Sequence, residues 1–115
     1  MNATEKSKKI KGESLALFHA APDTMRAFQS VMASATKAGE LSTQVKELMA
    51  LSIAIATHCD GCIVHHTEAA IRHGATRQQV VETIAVAIEM SGGPAVVYGG
   101  AALTAFDQLS GGPGG

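Results

Sequence analysis

Tryptophan is absent from this chain, and only three phenylalanines and one tyrosine are present. Small residues let helices approach closely, but each buries little apolar area. The 115 residues suffice for a single domain with one core and not for two. A core so short of large side chains gains stability by burying more surface between subunits, so a homo-oligomer is expected. Excess charge is missing too: nine Lys and Arg stand against ten Asp and Glu, a formal net charge of −1. That balance leaves no basic footprint for nucleic acid. No run approaches the ~20 apolar residues that a membrane-spanning helix needs. The stretch 80–106 is apolar in tone, but Glu82, Glu89 and Gly92-Gly93-Pro94 interrupt it. The charged start, Met1 to Glu13, is followed only by short apolar runs, so no secretory signal is read. The expected location is the cytoplasm, away from membranes. Cysteine is scarce, with two residues in one Cys-x-x-Cys. In a reducing compartment such a lone pair is more often redox-active or metal-binding than a structural disulfide.

Alternating β-branched residues, the signal of a strand, occur nowhere, and the chain reads as all-α with about six helices. Residues 1–12 read as a flexible or partly helical basic lead, outside a helical domain spanning 13–109. A short helix is expected from Ser14 to Ala20, ending before Pro22. Pro22 suits the first turn of the next helix, Asp23 to Lys37, with Met25, Phe28, Met32 and Ala35 on one face. Gly39 would end it in the C′ role. Ser42 is a good N-cap for a third helix, which becomes nearly apolar all round between Leu48 and Ala56 and is therefore expected to be deeply buried. A fourth helix runs from about Asp60 to His73 and stops at Gly74. Thr76-Arg77-Gln78-Gln79 is a capping box for a fifth. Gly92-Gly93 ends that helix, and Pro94 opens a sixth, reaching about Leu109. The pairs joined at Gly74 and Gly93 both read as αα-hairpins. The Gly/Pro-rich tail, 110–115, is expected to be disordered.

The stretch Glu47 to Gly74 carries the chemistry. It holds both cysteines and, between His58 and His66, three of the five histidines. With Asp60 as the expected N-cap, Cys62 falls in the first turn of the fourth helix. There the positive end of the helix dipole favours a thiolate, the reactive form of cysteine. Asp60 opposes this as a nearby negative charge. His66, four residues after Cys62, is about 40° round the helix and one pitch along, so the two share a face. An imidazole so placed can take the thiol proton. His65 is about 60° to the other side and is a weaker candidate. His58 adjoins Cys59 and lines the site without a fixed role, while His19 and His73 read as surface histidines.

Glu47 precedes these residues by one helix. If the third and fourth helices fold back at His58-Cys59, residue 66 lies opposite about residue 51, one turn from Glu47. A glutamate side chain, or one bridging water, spans that gap. A carboxylate among Leu and Ile needs a partner, and His66 supplies one. The plainer alternative is an exposed Glu47 paired with a lysine such as Lys46. Metal binding is the other reading of the pair. Cys59, Cys62 and His66 offer Zn²⁺ three ligands, with Glu47 or His58 as a fourth. Against it, structural zinc sites draw ligands from two separated knuckles, and only one cysteine pair exists here. A thioredoxin-like reading fails because no strand precedes Cys59.

Taken whole, Glu47, Cys59, Cys62 and His66 in the spacing E-x11-C-x2-C-x3-H, the Ala-rich helix after them, Gly74-Ala75-Thr76 and the Gly-Gly-Pro break resemble the AhpD-like alkylhydroperoxidase and carboxymuconolactone decarboxylase superfamily. The resemblance covers about Phe28 to Phe106. It implies an AhpD-like all-α bundle assembled as trimers or hexamers. It implies a peroxidase site with no metal or organic cofactor, in which Cys62 attacks a hydroperoxide and Cys59 resolves the sulfenic acid into a disulfide. Glu47 and His66 would form the proton relay, and a dithiol donor, thioredoxin-like or a lipoyl protein, would restore the thiols. AhpD enzymes proper can carry a further histidine just before the second cysteine; here that position is Gly61. The decarboxylase branch lacks the cysteine pair, so the pair favours the redox branch over a lactone decarboxylase. A zinc-bound interaction module is the non-enzymatic alternative.

Overall fold

The computed structural model describes residues 1–111. Six helices follow one another: α1 Ala3–Ala20, α2 Pro22–Thr36, α3 Thr43–Ala56, α4 Asp60–Arg72, α5 Arg77–Ser91 and α6 Gly93–Leu109. No strand occurs among the described residues. No helix among them is long and apolar enough to cross a membrane. Most of the expected disordered tail, residues 112–115, lies outside the described residues.

Local sequence sets most helix starts. Ser42 Oγ accepts from Val45 N at 3.1 Å, and Pro22 occupies the first turn of α2. At α5 the capping box closes in both directions: Thr76 Oγ1 accepts from Gln79 N at 3.1 Å, and Gln79 Oε1 from Thr76 N at 2.8 Å. Gly74, just past α4, has φ +83°, a left-handed conformation that glycine adopts without penalty. Gly39 plays no such part. α2 stops at Thr36, and Gly39 donates its N–H to Leu41 in a separate turn.

α3 and α4 form one packed pair and α5 and α6 another. The pairs meet through α3 against α5 and α4 against α6. The expected hairpin across Gly74 does not exist, since α4 and α5 do not pack on one another. Gly74 is a corner between the two layers. The core between them is Leu51 and Ile55 of α3, Ile63 of α4, Val80 and Ile84 of α5, and Ala102 and Phe106 of α6. Gly99 lets α6 approach α5 so closely that a Cβ there would sit 2.5 Å from Ile84 Cγ2.

Of the two readings of the basic lead, flexible or partly helical, the structure has the helical one. α1 begins at Ala3, with Asn2 Oδ1 accepting from Glu5 N at 2.9 Å, and runs unbroken to Ala20. Two of its lysines, Lys6 and Lys11, have acidic partners on α4, which composition cannot reveal. Ser7 of that segment is buried and donates to Glu68 at 3.0 Å. α2 behaves in the opposite way. It has the predicted amphipathic pattern but no buried residue, and Phe28 is 58% exposed.

Candidate functional site

α3 ends and α4 begins within three residues, and this turn makes the site. Thr57 N–H closes the last turn of α3 on Ile53, and Cys59 N–H reaches back to Ala54 at 3.0 Å. Between them His58 takes φ +58°, the one non-glycine residue with positive φ among those described. Positive φ is uncommon for any residue but glycine. Its ring lies flat on Tyr98 of α6, with centroids 4.7 Å apart and planes 5° from parallel. The stack anchors the turn to the second helical layer.

The N-cap of α4 is Cys59, not Asp60. Cys59 Sγ accepts from Cys62 N at 3.3 Å, as a serine hydroxyl would at this position. Asp60 is therefore the first helical residue and Cys62 the third. Cys59 and Cys62 are joined by a disulfide, their Cα atoms 5.2 Å apart. Both residues are half-buried.

On the same face as Cys62, one turn on, stands His66. Its Nδ1 lies 2.7 Å from Glu47 Oε1, with no water between. An ionised Glu47 can only accept, so in that form of the pair Nδ1 is the donor. Nε2 is then the nitrogen left to receive one. Glu47 is buried, as the apolar run around it predicts, and its side chain keeps only 8% of its exposure. Lys46 does not compete, because its Nζ donates to the Lys37 carbonyl. The structure thus joins the four residues expected from the sequence in two pairs, Glu47 of α3 with His66 of α4 and Cys59 of the turn with Cys62 of α4, and Cys62 and His66 stand one helical turn apart.

His65 packs edge-on against His66 at 4.8 Å. The residue stays exposed, yet neighbours crowd water from its ring. That desolvation, with repulsion from His66 second, pushes its pKa below the ordinary histidine value. Both effects favour the neutral form of His65 beside the His66–Glu47 pair. His73 caps the end of α4 and His19 lies in the last turn of α1, both away from the site. Among the described residues no three His, Cys, Asp or Glu side chains converge as metal ligands would. In the disulfide form neither cysteine offers the thiolate that the zinc reading requires.

Two contacts escaped the sequence reading. Tyr98 under His58 has no local signal, because the register of α6 against the turn places it there. Lys6 pairs with Asp60 across 54 positions of sequence. The only hint was a basic segment and an acid with no assigned partner. A shallow cavity of about 220 Å³ lies beside this pair, between α1, α4 and α6. None of Glu47, Cys59, Cys62 or His66 lines it.

Residues 22–106 match the model of the carboxymuconolactone decarboxylase family. An uncharacterised protein of Cupriavidus necator is 48% identical over 95 residues, which span 83% of this chain and 84% of that one. A carboxymuconolactone decarboxylase family protein from Legionella pneumophila, solved in its apo form, superposes with a TM-score of 0.91 at 35% identity, over 94% of this chain and 96% of that one. A family member from Thermotoga maritima shares the fold at 21% identity, with a TM-score of 0.82 over 92% and 91% of the two chains.

Proposed function

This chain belongs to the carboxymuconolactone decarboxylase family, and we propose that within it the protein is a thiol peroxidase that reduces organic hydroperoxides. The observation that carries this reading is the Glu47–His66 hydrogen bond, on the same face of α4 as a cysteine that can pair with its neighbour. A lactone decarboxylase has no use for such a pair of thiols.

In the reduced protein the Cys62 thiol loses its proton to His66 Nε2, and Glu47 holds the imidazolium that forms. The start of α4 favours the thiolate. The sulfur attacks the outer oxygen of ROOH. An S–O bond forms, the O–O bond breaks, and RO⁻ leaves as the alcohol with the proton returned by His66. Cys62 is then a sulfenic acid, oxidised by two electrons. Cys59 attacks that sulfur. The S–S bond forms, and hydroxide leaves as water with the proton from Cys59. A dithiol of the thioredoxin or lipoyl class supplies two electrons and two protons to restore both thiols. Such donors place the cycle in a reducing compartment such as the cytoplasm.

The same reading includes assembly. Phe28 and Val31 of α2, Leu15 and Leu17 of α1, and Met49 and Ile53 of α3 are exposed apolar side chains. Another copy of the chain is the proposed cover, in a trimer or hexamer. Light scattering at micromolar concentration should give three or six times the chain mass of 11.8 kDa. A monomer would refute the assembly.

One experiment tests the chemistry. The reduced protein is mixed with one equivalent of an organic hydroperoxide, and thiols, alcohol and disulfide are counted. Two thiols should be lost per alcohol formed, with one Cys59–Cys62 bridge per chain. Thiols that survive while peroxide remains intact would overturn the proposal.

A further inference from the structure

Asp60 adjoins Cys59 and stands two residues before Cys62, at the first position of α4. A carboxylate there works against a thiolate and so against the helix dipole. In this fold that charge does not stand alone. Lys6 Nζ lies 3.1 Å from Asp60 Oδ1 and 3.0 Å from Oδ2. The lysine is held in place by more than this pair. The next residue, Ser7, donates to Glu68 Oε2 at 3.0 Å, and Lys11 Nζ, further along α1, reaches Glu68 Oε1 at 3.0 Å. Ala3 N–H donates to Gln108 of α6 at 2.7 Å. Ile10 Cδ1 packs 3.5 Å from the point where Gly61 would carry a Cβ. Burial alone would raise the Glu68 carboxyl, but hydrogen bonds from Lys11 and Ser7 hold it below its ordinary value. α1 is thus fastened along the outer side of α4 at four points, and Lys6 is delivered to the redox turn.

We propose that Lys6 is a positioning residue of the redox turn, which holds Asp60, offsets its charge and so keeps the Cys62 thiol acidic. This rests on the reading of Cys62 as nucleophile. It makes the N-terminal helix part of the reaction site. The titratable groups around the cysteine pair come from every neighbouring element: Lys6 from α1, Glu47 from α3, His58 from the turn, Asp60, His65 and His66 from α4, and Tyr98 from α6. Glu47 and His66 are committed to each other, and burial disfavours the charged form of His65. Lys6 and Asp60 are the charged pair left to set the field at the start of α4. An exposed ion pair contributes little to stability, so its effect is sought in the thiol and not in the melting temperature.

The test uses full-length reduced protein with Cys59→Ser, so that Cys62 alone is titrated. The rate of iodoacetamide alkylation is followed against pH at low ionic strength. A unit charge several ångströms away near the surface moves a pKa by about 0.3–0.6 unit. Lys6→Gln should raise the Cys62 pKa by that much, and Lys6→Arg should restore it. Asp60→Asn, which leaves the other anchors of α1 intact, should lower it. High salt should shrink these differences, because the groups are partly solvated. A Cys62 pKa unchanged in Lys6→Gln, or raised in Asp60→Asn, would overturn the proposal. No peroxide enters the measurement. A pKa that moves as expected in a protein that leaves peroxide intact would sink the peroxidase reading and sustain this one.

Discussion

His66 Nδ1 and Glu47 Oε1 meet at 2.7 Å, from helices joined by a single tight turn. The contact fixes which nitrogen of His66 faces the thiol side, as second partners of imidazoles generally do. His66→Ala and Glu47→Gln should each slow the reaction with peroxide by about 10²–10⁴-fold, the usual loss for a general base. The double variant should be little slower than His66→Ala, because residues that act as a unit are not additive. Stopped-flow measurement of thiol oxidation checks this. A strong oxidant that needs no base should still form the disulfide in all three variants.

Two adjacent glycines of α6 should respond in opposite directions. A Cβ at Gly99 would meet Ile84 Cγ2 at 2.5 Å, whereas one at Gly100 meets nothing within 4 Å. Alanine gains about 1 kcal/mol over glycine inside a helix. At Gly99 the clash is with a branch methyl fixed at Cβ of Ile84, which cannot swing away. Overpacking of that kind costs about 1–3 kcal/mol. Gly99→Ala should therefore lower Tm, and Gly100→Ala should hold or raise it, as read by thermal denaturation of the reduced proteins.

Glu68 makes stability depend on acid. Its folded carboxyl lies below the ordinary value of 4.5, despite the opposing effect of burial, because Lys11 and Ser7 bond to the charged form. A depressed folded pKa gives stability that is fully present above the unfolded value and is lost as pH falls through the folded one. Urea unfolding from pH 7 down to pH 3 should show this loss below about pH 4.5. Glu68→Gln should be less stable at neutral pH and fall less steeply in acid. Parallel curves for the two proteins would show that the clasp on α1 has no such role.

Features that depend on neighbours in sequence were legible. The caps at Ser42 and Thr76, the break at Pro22 and the helix stop at Gly74 all follow from local backbone needs, whereas the corner made there in place of a hairpin does not. Helix arithmetic alone placed Glu47 within reach of His66, since both helices start from one turn. Features that depend on distant partners were not. The segment from Ala3 to Gly12 reads as solvated because its partners, Asp60 and Glu68, lie on α4. Asp60 is the stronger N-cap by propensity, yet Lys6 engages it, and Cys59 sulfur caps α4 in its place. The pairing of α3 with α4 rather than α4 with α5 depends on which turn reverses the chain. The strained His58 makes the reversal, and its ring partner, Tyr98, is far along the chain.

The two cysteines should differ in role. As N-cap, Cys59 sulfur accepts the Cys62 N–H, so both sulfurs gain from the start of α4. The difference between them is His66, which shares the face of Cys62, while the position four residues after Cys59 is the buried Ile63. Cys62 should therefore have a base at hand and react first. Cys59→Ser keeps a good N-cap, and the protein should stay folded. It should consume one equivalent of peroxide, leave a sulfenic acid at Cys62 that a dimedone-type probe traps, and then stop. Cys62→Ser should consume none. If Cys62→Ser reacts as fast as the parent and Cys59→Ser does not, the roles are reversed, and the helix start at Cys59 outweighs the histidine at His66.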